Sequence, residues 1–415
     1  MDVIVDRVAG LDVHQKTVMA AVRTPGSDVR RAQEIKEFRT YTGDLVALRD
    51  WLVEREVTLV VMEATGVYWR PVWYVLEDHP GFELELVNPH HVKNLPGRKT
   101  DTADAAWLAQ LAECGLLRGS FIPPKDISRL RDLTRYRTKI VRERVREVQR
   151  LQKLLEDANV KLTSLVTDIT GVSGRAMIEA LIAGERDSDK LANLARTRMR
   201  PKIGELRLAL VGRFDEHHAL LARMHLDHID QLSAMEDRLD KEVDRLMAPF
   251  AEAGARLQTI PGIGKRAAEI VVSEMGVDMS RFPTAHHLAS WAGLCPGNHE
   301  TAHKSRSGRA RKGNEALRTV LCECAWAASH SGDTYFNAQY RRFKRRFGKR
   351  SEGKAIFAVA HSLIVVAWHV LHDETTYQDL GPDYFERRND PAARQHYLLR
   401  ELQRLGVRVT VQPAA

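Results

Sequence analysis

The stretch VTLVVMEAT (57–65) decides the fold class. It is a β-branched apolar run without polar alternation, which marks a strand buried on both faces of a helix-covered sheet. It ends on an acid, Glu63. Upstream, VIVDRVAGLDV (3–13) and TVMAAVRT (17–24) read as short strands joined by a polar turn, and EIKEFRTY (34–41) as a third. DLVALRDWLVER (44–55) follows Gly43 with helical periodicity. Downstream, GVYWRPVWYVLEDH (66–79) reads as a helix around Pro71 and FELELVN (82–88) as a strand. DTADAAWLAQLAECG (101–115) reads as a helix closing at Gly115. Three strands followed by β-α-β-α predict a mixed α/β sheet flanked by helices over residues 1–120.

The remainder is expected to be all-α. Residues 121–250 read as a helical coiled-coil spacer that also dimerises. Its two stripes are Val141, Val145, Val148 and Leu155, and Leu232, Met235, Leu239, Val243 and Leu246. Gly171, Gly174 and Gly184 lie between them, where the helices turn. Residues 251–372 read as a mainly helical second globular unit, and 373–415 as a peripheral tail rich in charge, Gln and Pro.

A chain of 415 residues exceeds one ordinary domain. Its 44% hydrophobic content excludes wholesale disorder. Lys and Arg outnumber Asp and Glu by 63 to 55, a net charge of +8, and clusters within that surplus point to a polyanionic partner. Cys114, Cys295, Cys322 and Cys324 show no CxxC spacing, so neither a zinc ribbon nor a disulfide framework is expected. The start, MDVIVDRVAGLDVHQ, lacks the pattern of a signal peptide. The apolar stretch 355–371 contains His361, Ser362 and His369 and suits a core helix better than a membrane span. The expectation is a cytoplasmic protein with no membrane partner.

Four carboxylates stand where a metal-dependent phosphodiester chemistry needs them. Asp12 closes a first apolar strand and Glu63 a second; Asp101 and Asp104 lie three apart at the start of a helix, on one face. All-oxygen ligands suit Mg²⁺ or Mn²⁺. Two such ions can activate an attacking oxygen and stabilise a leaving one. The plain alternative is that Asp101 caps its helix and Asp104 answers the helix dipole. Strand-end acids beneath apolar runs fit that alternative less well, because burial without a cation is costly.

GLDVHQKTV, VVMEATGVYW and RKTDTADAAWLA together resemble the DEDD transposases of the insertion-sequence-one-ten family and the related Piv-type invertases. RFPTAHHLASWAGLCPGNHETAHKSRSGRARKGNEALR is similar to that family's C-terminal transposase domain. The resemblance implies an RNase H-like (RuvC-like) N-terminal domain in which Asp12, Glu63, Asp101 and Asp104 bind Mg²⁺. It also implies a hydroxyl nucleophile forming a covalent link to DNA, a bridge RNA choosing donor and target DNA, and homodimers that pair into tetramers. The family's serine lies in a Ser-Gly or Ser-Ala motif after Gly-Leu-x-Pro; here Gly293-Leu294-Cys295-Pro296 is followed by Glu300-Thr301-Ala302. The implied nucleophile is therefore Thr301, with Ser305 or Ser307 as substitutes, or else strand exchange is impaired. Threonine has the hydroxyl, but its methyl group stiffens χ1.

Three basic clusters are candidates for nucleic acid. Residues 125–160 hold eleven Lys or Arg against six acids, and 341–354 eight against one. Residues 304–318 hold six, including Lys304, Arg306, Arg309, Arg311 and Lys312 directly after the candidate nucleophile. The turn Pro261-Gly262-Ile263-Gly264-Lys265 resembles a helix-hairpin-helix motif, in which Gly262, Gly264 and Lys265 would approach a phosphate; a packing turn is the alternative. Tyr68, Trp69 and Trp73 are read as core rather than base-stacking platforms. The sequence thus predicts a site-specific DNA transposase with a two-part active site, one protomer supplying the acids and another the hydroxyl. A RuvC-like structure-specific endonuclease and a catalytically impaired DNA- or RNA-binding relative are the alternatives.

Overall fold

The structure is a computed structural model. It describes residues 3–26, 31–64, 66–88, 101–295, 298–301, 304–307, 310, 312–348, 351–388 and 391–407, with 101–103, 298–301, 304–307, 391–394 and 397 as backbone only. The chain forms two compact units, Met1–Ile122 and Pro123–Ala415.

In the first unit β1 (Val8–Val13), β2 (Thr17–Thr24) and β3 (Ala32–Arg39) form an antiparallel meander. Then come α1 (Thr42–Glu54), β4 (Leu59–Glu63), α2 (Trp69–Glu77), β5 (Glu83–Val87) and α3 (Asp101–Glu113). β4 adds parallel to β1, and β5 parallel to β4, giving the order β3-β2-β1-β4-β5. Period-2 alternation divides the central strands between two cores. Ala9, Leu11, Val13, Val60 and Met62 pack with Leu48 and Leu52 of α1 and Leu76 of α2; Trp69 and Trp73 pack against this core too, but Tyr68, read as core with them, is exposed. Val8, Leu59, Val61 and Val87 pack with Leu108, Leu111 and Ala112 of α3. The strand read from residue 3 begins only at Val8: Ile4 and Val5 instead donate their N–H groups to the Glu113 carbonyl, at 2.7 and 3.1 Å, covering the end of α3.

The second unit starts with α4 (Lys125–Asp157) and continues through α5 (Val172–Ile182), α6 (Ser188–Asn193), α7 (Ile203–Ala209) and α8 (Glu216–Met247). It then has α9 (Ala251–Gln258), α10 (Lys265–Met275), α11 (Ala285–Trp291) and the hairpin β6 (Asn298–Thr301) and β7 (Lys304–Ser307). α12 (Glu315–His330), α13 (Tyr335–Phe347), α14 (Glu352–His372), α15 (Tyr384–Arg387) and α16 (Pro391–Arg404) complete it. α4 and α8 run antiparallel, as the pairs Arg137–Asp240, Arg144–Glu236 and His218–Asp157 show. α8 is started by a capping box in which Asp215 accepts the His218 N–H.

The buried seam of α4 departs only in part from the expected stripe: Leu155 is buried and Val148 packs against the core, but Val145 is exposed and the rest of the seam is Leu130, Thr134, Arg137, Ile140, Glu147 and Leu151. The reason is electrostatic: charged residues occupy seam positions because each has a partner on a neighbouring helix. Among the described residues only α14 is long and apolar enough to cross a membrane; it packs between α11, α12 and α13, with Ala355, Val359, Leu363 and Ala367 fully buried. Part of the segment beyond 373 lies on α13, Tyr377 stacking on Phe336 and Phe385 on Tyr335.

Candidate active site

Asp12 and Glu63 come together through register alone. The β1–β4 ladder runs from Val8 opposite Leu59 to Leu11 opposite Met62, so the next step places Asp12 beside Glu63 on strands about 4.8 Å apart. Their even-odd positions put both on the face covered by α3, in phase with Val8 and Gly10 on β1 and with Leu59 and Val61 on β4. Asp12 is only 6% exposed, Glu63 half-buried. The His14 imidazole, two residues on and in the same phase, lies 3.2 Å from the Asp12 carboxylate.

Gly10 explains how α3 reaches this end of the sheet. A Cβ there would lie 2.3 Å from the Ala105 carbonyl oxygen and 2.5 Å from the Ala109 nitrogen, so helix backbone rests directly on strand backbone. α3 runs antiparallel to β1, since its last residue, Glu113, meets Ile4 and Val5. Its first turn, with Asp101 and Asp104, therefore lies at the Asp12 end. Asp104 is half-buried; Asp101 is described as backbone only. At the far end Arg23 grips the Glu113 carboxylate with two bonds of 2.9 Å, and Arg31 adds a third at 3.2 Å. Among the described residues no three His, Cys, Asp or Glu side chains form a ready-made metal cluster. The donors aligned here are carboxylates on one end of the sheet, the oxygen chemistry that hard divalent cations take.

In the second unit Thr301 is the last residue of β6 and pairs with Lys304, the first residue of β7. Ser305 lies opposite Glu300 and Ser307 opposite Asn298, so neither shares the register position of Thr301. Arg306 is in the same strand; Arg309 and Arg311 lie outside the described residues, and Lys312 is exposed. The base of this segment is fixed by two glycines. A Cβ on Gly313 would meet the Gly293 nitrogen at 2.4 Å, and Gly293 itself has φ +73°. Asn314 then caps α12, accepting the Leu317 N–H, and donates at 2.6 Å to the wholly buried Glu274 carboxylate, which Arg135 holds through bonds of 2.7 and 2.8 Å.

The three residues expected to approach a phosphate have different surroundings in the turn. Gly262 has φ +86°, and a Cβ there would lie 2.3 Å from the Cys324 carbonyl, so this glycine serves close packing on α12. Gly264 stands open at the start of α10. Lys265 is ion-paired with Asp244 at 2.6 Å, and that hydrogen bond raises its pKa. The basic character of 125–160 is likewise largely internal: Arg131 and Arg135 pair with Glu274, Arg137 with Asp240 and Glu269, and Arg144 with Glu236.

Two family models match the chain. Residues 9–160 match the DEDD model of the IS110 transposases, and residues 254–341 the model described as transposase of the IS116/IS110/IS902 family. The chain belongs to the IS110 transposase family. Similar proteins include the transposase for insertion sequence element IS1328 of Yersinia enterocolitica, 22% identical over 72% of this chain and 79% of the relative. The pilin gene-inverting protein of Moraxella bovis is 26% identical over 77% of this chain and 81% of its own. The match to the Sinorhizobium fredii transposase relative y4qE, 26% identical, spans 69% of this chain but 60% of that protein. Among solved structures, Thermus thermophilus RuvC aligns with 28% of this chain and 99% of its own, at 15% identity and a TM-score of 0.23. The first unit is an α/β domain whose sheet has three antiparallel strands extended by two parallel ones.

Proposed function

We propose that this IS110-family chain is a DNA transposase that cuts and rejoins DNA through a metal-binding acidic tetrad and the Thr301 hydroxyl. The observation that carries the proposal is the register step that sets Asp12 beside Glu63 under the first turn of α3. Asp12, Glu63, Asp101 and Asp104 would hold Mg²⁺ or Mn²⁺, which when bound supplies positive charge to the phosphodiester oxygens. The Thr301 oxygen forms a bond to phosphorus while the bond to a sugar oxygen breaks; the hydroxyl proton leaves to solvent and the sugar oxygen takes one up. One ester replaces another, so the reverse step rejoins the strand. Lys304, opposite Thr301 in the hairpin, is suited to phosphate charge. The family resemblance extends the proposal to a bridge RNA guide, donor and target DNA, and a homodimer assembling to a tetramer.

The test is a nicked suicide duplex incubated with protein, Mg²⁺ and the guide RNA, followed by a search for an SDS-resistant adduct. An adduct lost in both Thr301→Ala and Asp12→Asn supports the proposal. Cleavage without an adduct makes the chain a RuvC-like endonuclease using water, and binding without cleavage an impaired relative. Loss of the adduct in Ser305→Ala or Ser307→Ala, with Thr301→Ala unaffected, would move the nucleophile.

A further inference from the structure

The helices of the second unit treat their basic residues in two different ways. On α4, α5 and α8 they are interleaved with acids, and Arg135, Arg137, Arg144 and Arg175 are all tied to carboxylates. On α13 and the residues after it, from Thr334 to Lys354, the sequence contains a single acid, Glu352. That acid is engaged by Lys344 at 3.1 Å and by the Tyr340 hydroxyl at 2.7 Å. Arg341, Arg345 and Arg346 are exposed, and among the described residues no carboxylate pairs with any of them.

The orientation of α13 is fixed by its other side. Phe336 is fully buried and Tyr340 nearly so, while Gln339 donates to Ser362 of α14 at 3.0 Å. At 100° per residue, Arg341, Arg342 and Arg345 then fall opposite this buried stripe. Arg342 is steadied by stacking over the Phe385 ring at 4.8 Å. A solvated helix face ordinarily mixes charge signs at i,i+4 spacing; this one carries repulsion without relief, which a polyanion would remove.

From this face we infer that α13 is a docking surface for the phosphate backbone of duplex DNA, separate from the Thr301 hairpin. The choice of DNA as occupant rests on the proposed function: a chain that cuts and rejoins duplex DNA has to hold the phosphate backbone away from the scissile bond, and a row of donor-only side chains on one helix face is suited to that. All three outward residues are donors only, the chemistry of phosphate binding without base readout. Binding on this surface is therefore independent of sequence and strongly salt-dependent.

The experiment measures the affinity of the full chain for a labelled random-sequence duplex between roughly 50 and 200 mM salt. Arg341→Gln/Arg342→Gln/Arg345→Gln is expected to flatten the slope of log affinity against log salt by about 2 to 3, since each phosphate left unneutralised removes close to 0.9. A charge-matched control, Arg196→Gln/Arg198→Gln/Arg200→Gln, removes exposed basic residues between α6 and α7 and leaves the slope within about 0.5 of the parent. If the stacked Arg342 proves necessary for folding, Arg341→Gln/Arg345→Gln is read instead, with an expected change of about 2. An unchanged slope, or an equal change in the control, overturns the inference. An RNA duplex that binds as tightly and shows the same flattening overturns the assignment to DNA. Thr301→Ala leaves the slope intact, so failure here and failure of the covalent chemistry are separate results.

Discussion

Arg137 of α4 and Glu269 of α10 meet at 2.6 Å with both side chains 4% exposed, and Arg137 reaches Asp240 of α8 at 2.9 Å as well. Three helices are thus joined at one buried guanidinium. Such a pair contributes little net stability over an apolar replacement, but removing one partner strands a buried charge. Arg137→Met should lower the stability of the second unit by about 3–5 kcal/mol. Arg137→Met/Glu269→Met should recover a large part of it. Urea unfolding of the single and double variants checks this; a double variant as unstable as Arg137→Met alone would refute it.

Gly10 offers the sharpest test of how α3 is seated. A methyl group there must displace the Ala105 carbonyl and the Ala109 amide, both backbone atoms that cannot rotate away. Gly10→Ala should destabilise the first unit by about 3 kcal/mol or more, the upper end of overpacking costs. Because α3 carries Asp101 and Asp104, DNA cleavage should fall with it. A variant with parental thermal stability would show that α3 does not rest on β1 as described.

Much of the first unit is legible in sequence because its signals are local. The run at 57–65 has the length and β-branching of a buried strand, and Gly115, at φ +63°, closes α3, whereas Gly43 lies inside the first turn of α1. The adjacency of Asp12 and Glu63 is less accessible: it depends on the parallel register of strands separated by two other strands and a helix, which no periodicity encodes. In the second unit apolar spacing finds Leu155 on α4 and Leu232 and Val243 on α8, but it misses Arg137 and Glu147, which are buried by virtue of partners far along the chain. For the same reason a count of basic residues cannot separate 125–160, largely paired, from 341–354, where among the described residues Lys344 alone of the basic side chains has a carboxylate partner. The Thr301 hairpin is recognisable only as a motif.

Metal binding at the acidic end of the sheet has a readout independent of turnover. Mg²⁺ or Mn²⁺ bound only by the folded state raises the melting temperature by mass action. The parent should show a concentration-dependent upward shift, and Asp12→Asn or Glu63→Gln should abolish it. Equal shifts in parent and variants would place the cation elsewhere.

The two glycines of the Pro261–Lys265 turn should separate cleanly. Gly262→Ala combines a left-handed backbone with a Cβ 2.3 Å from the Cys324 carbonyl and should cost about 2–3 kcal/mol. Gly264→Ala meets nothing within 4 Å and should change stability by no more than about 1 kcal/mol. If Gly264→Ala weakens DNA binding while its melting temperature holds, the turn touches phosphate; if binding also holds, the turn is a packing element.

The α4–α8 seam should also respond to acid in a defined direction. Burial alone would raise the pKa of Glu147, but bonds from His225 at 2.6 Å and from Arg150, with His228 beside them, leave it lowered. A carboxylate depressed in the folded state stabilises above its unfolded value, near 4.3, and loses that contribution as pH falls through the folded value. Glu147→Gln should therefore melt below the parent at pH 6 to 7. The gap between them should narrow as pH drops from about 4.5 towards 3, because only the parent has this carboxylate left to protonate. Melting curves of both proteins across that range decide the matter, and a gap that widens on acidification would contradict the lowered pKa.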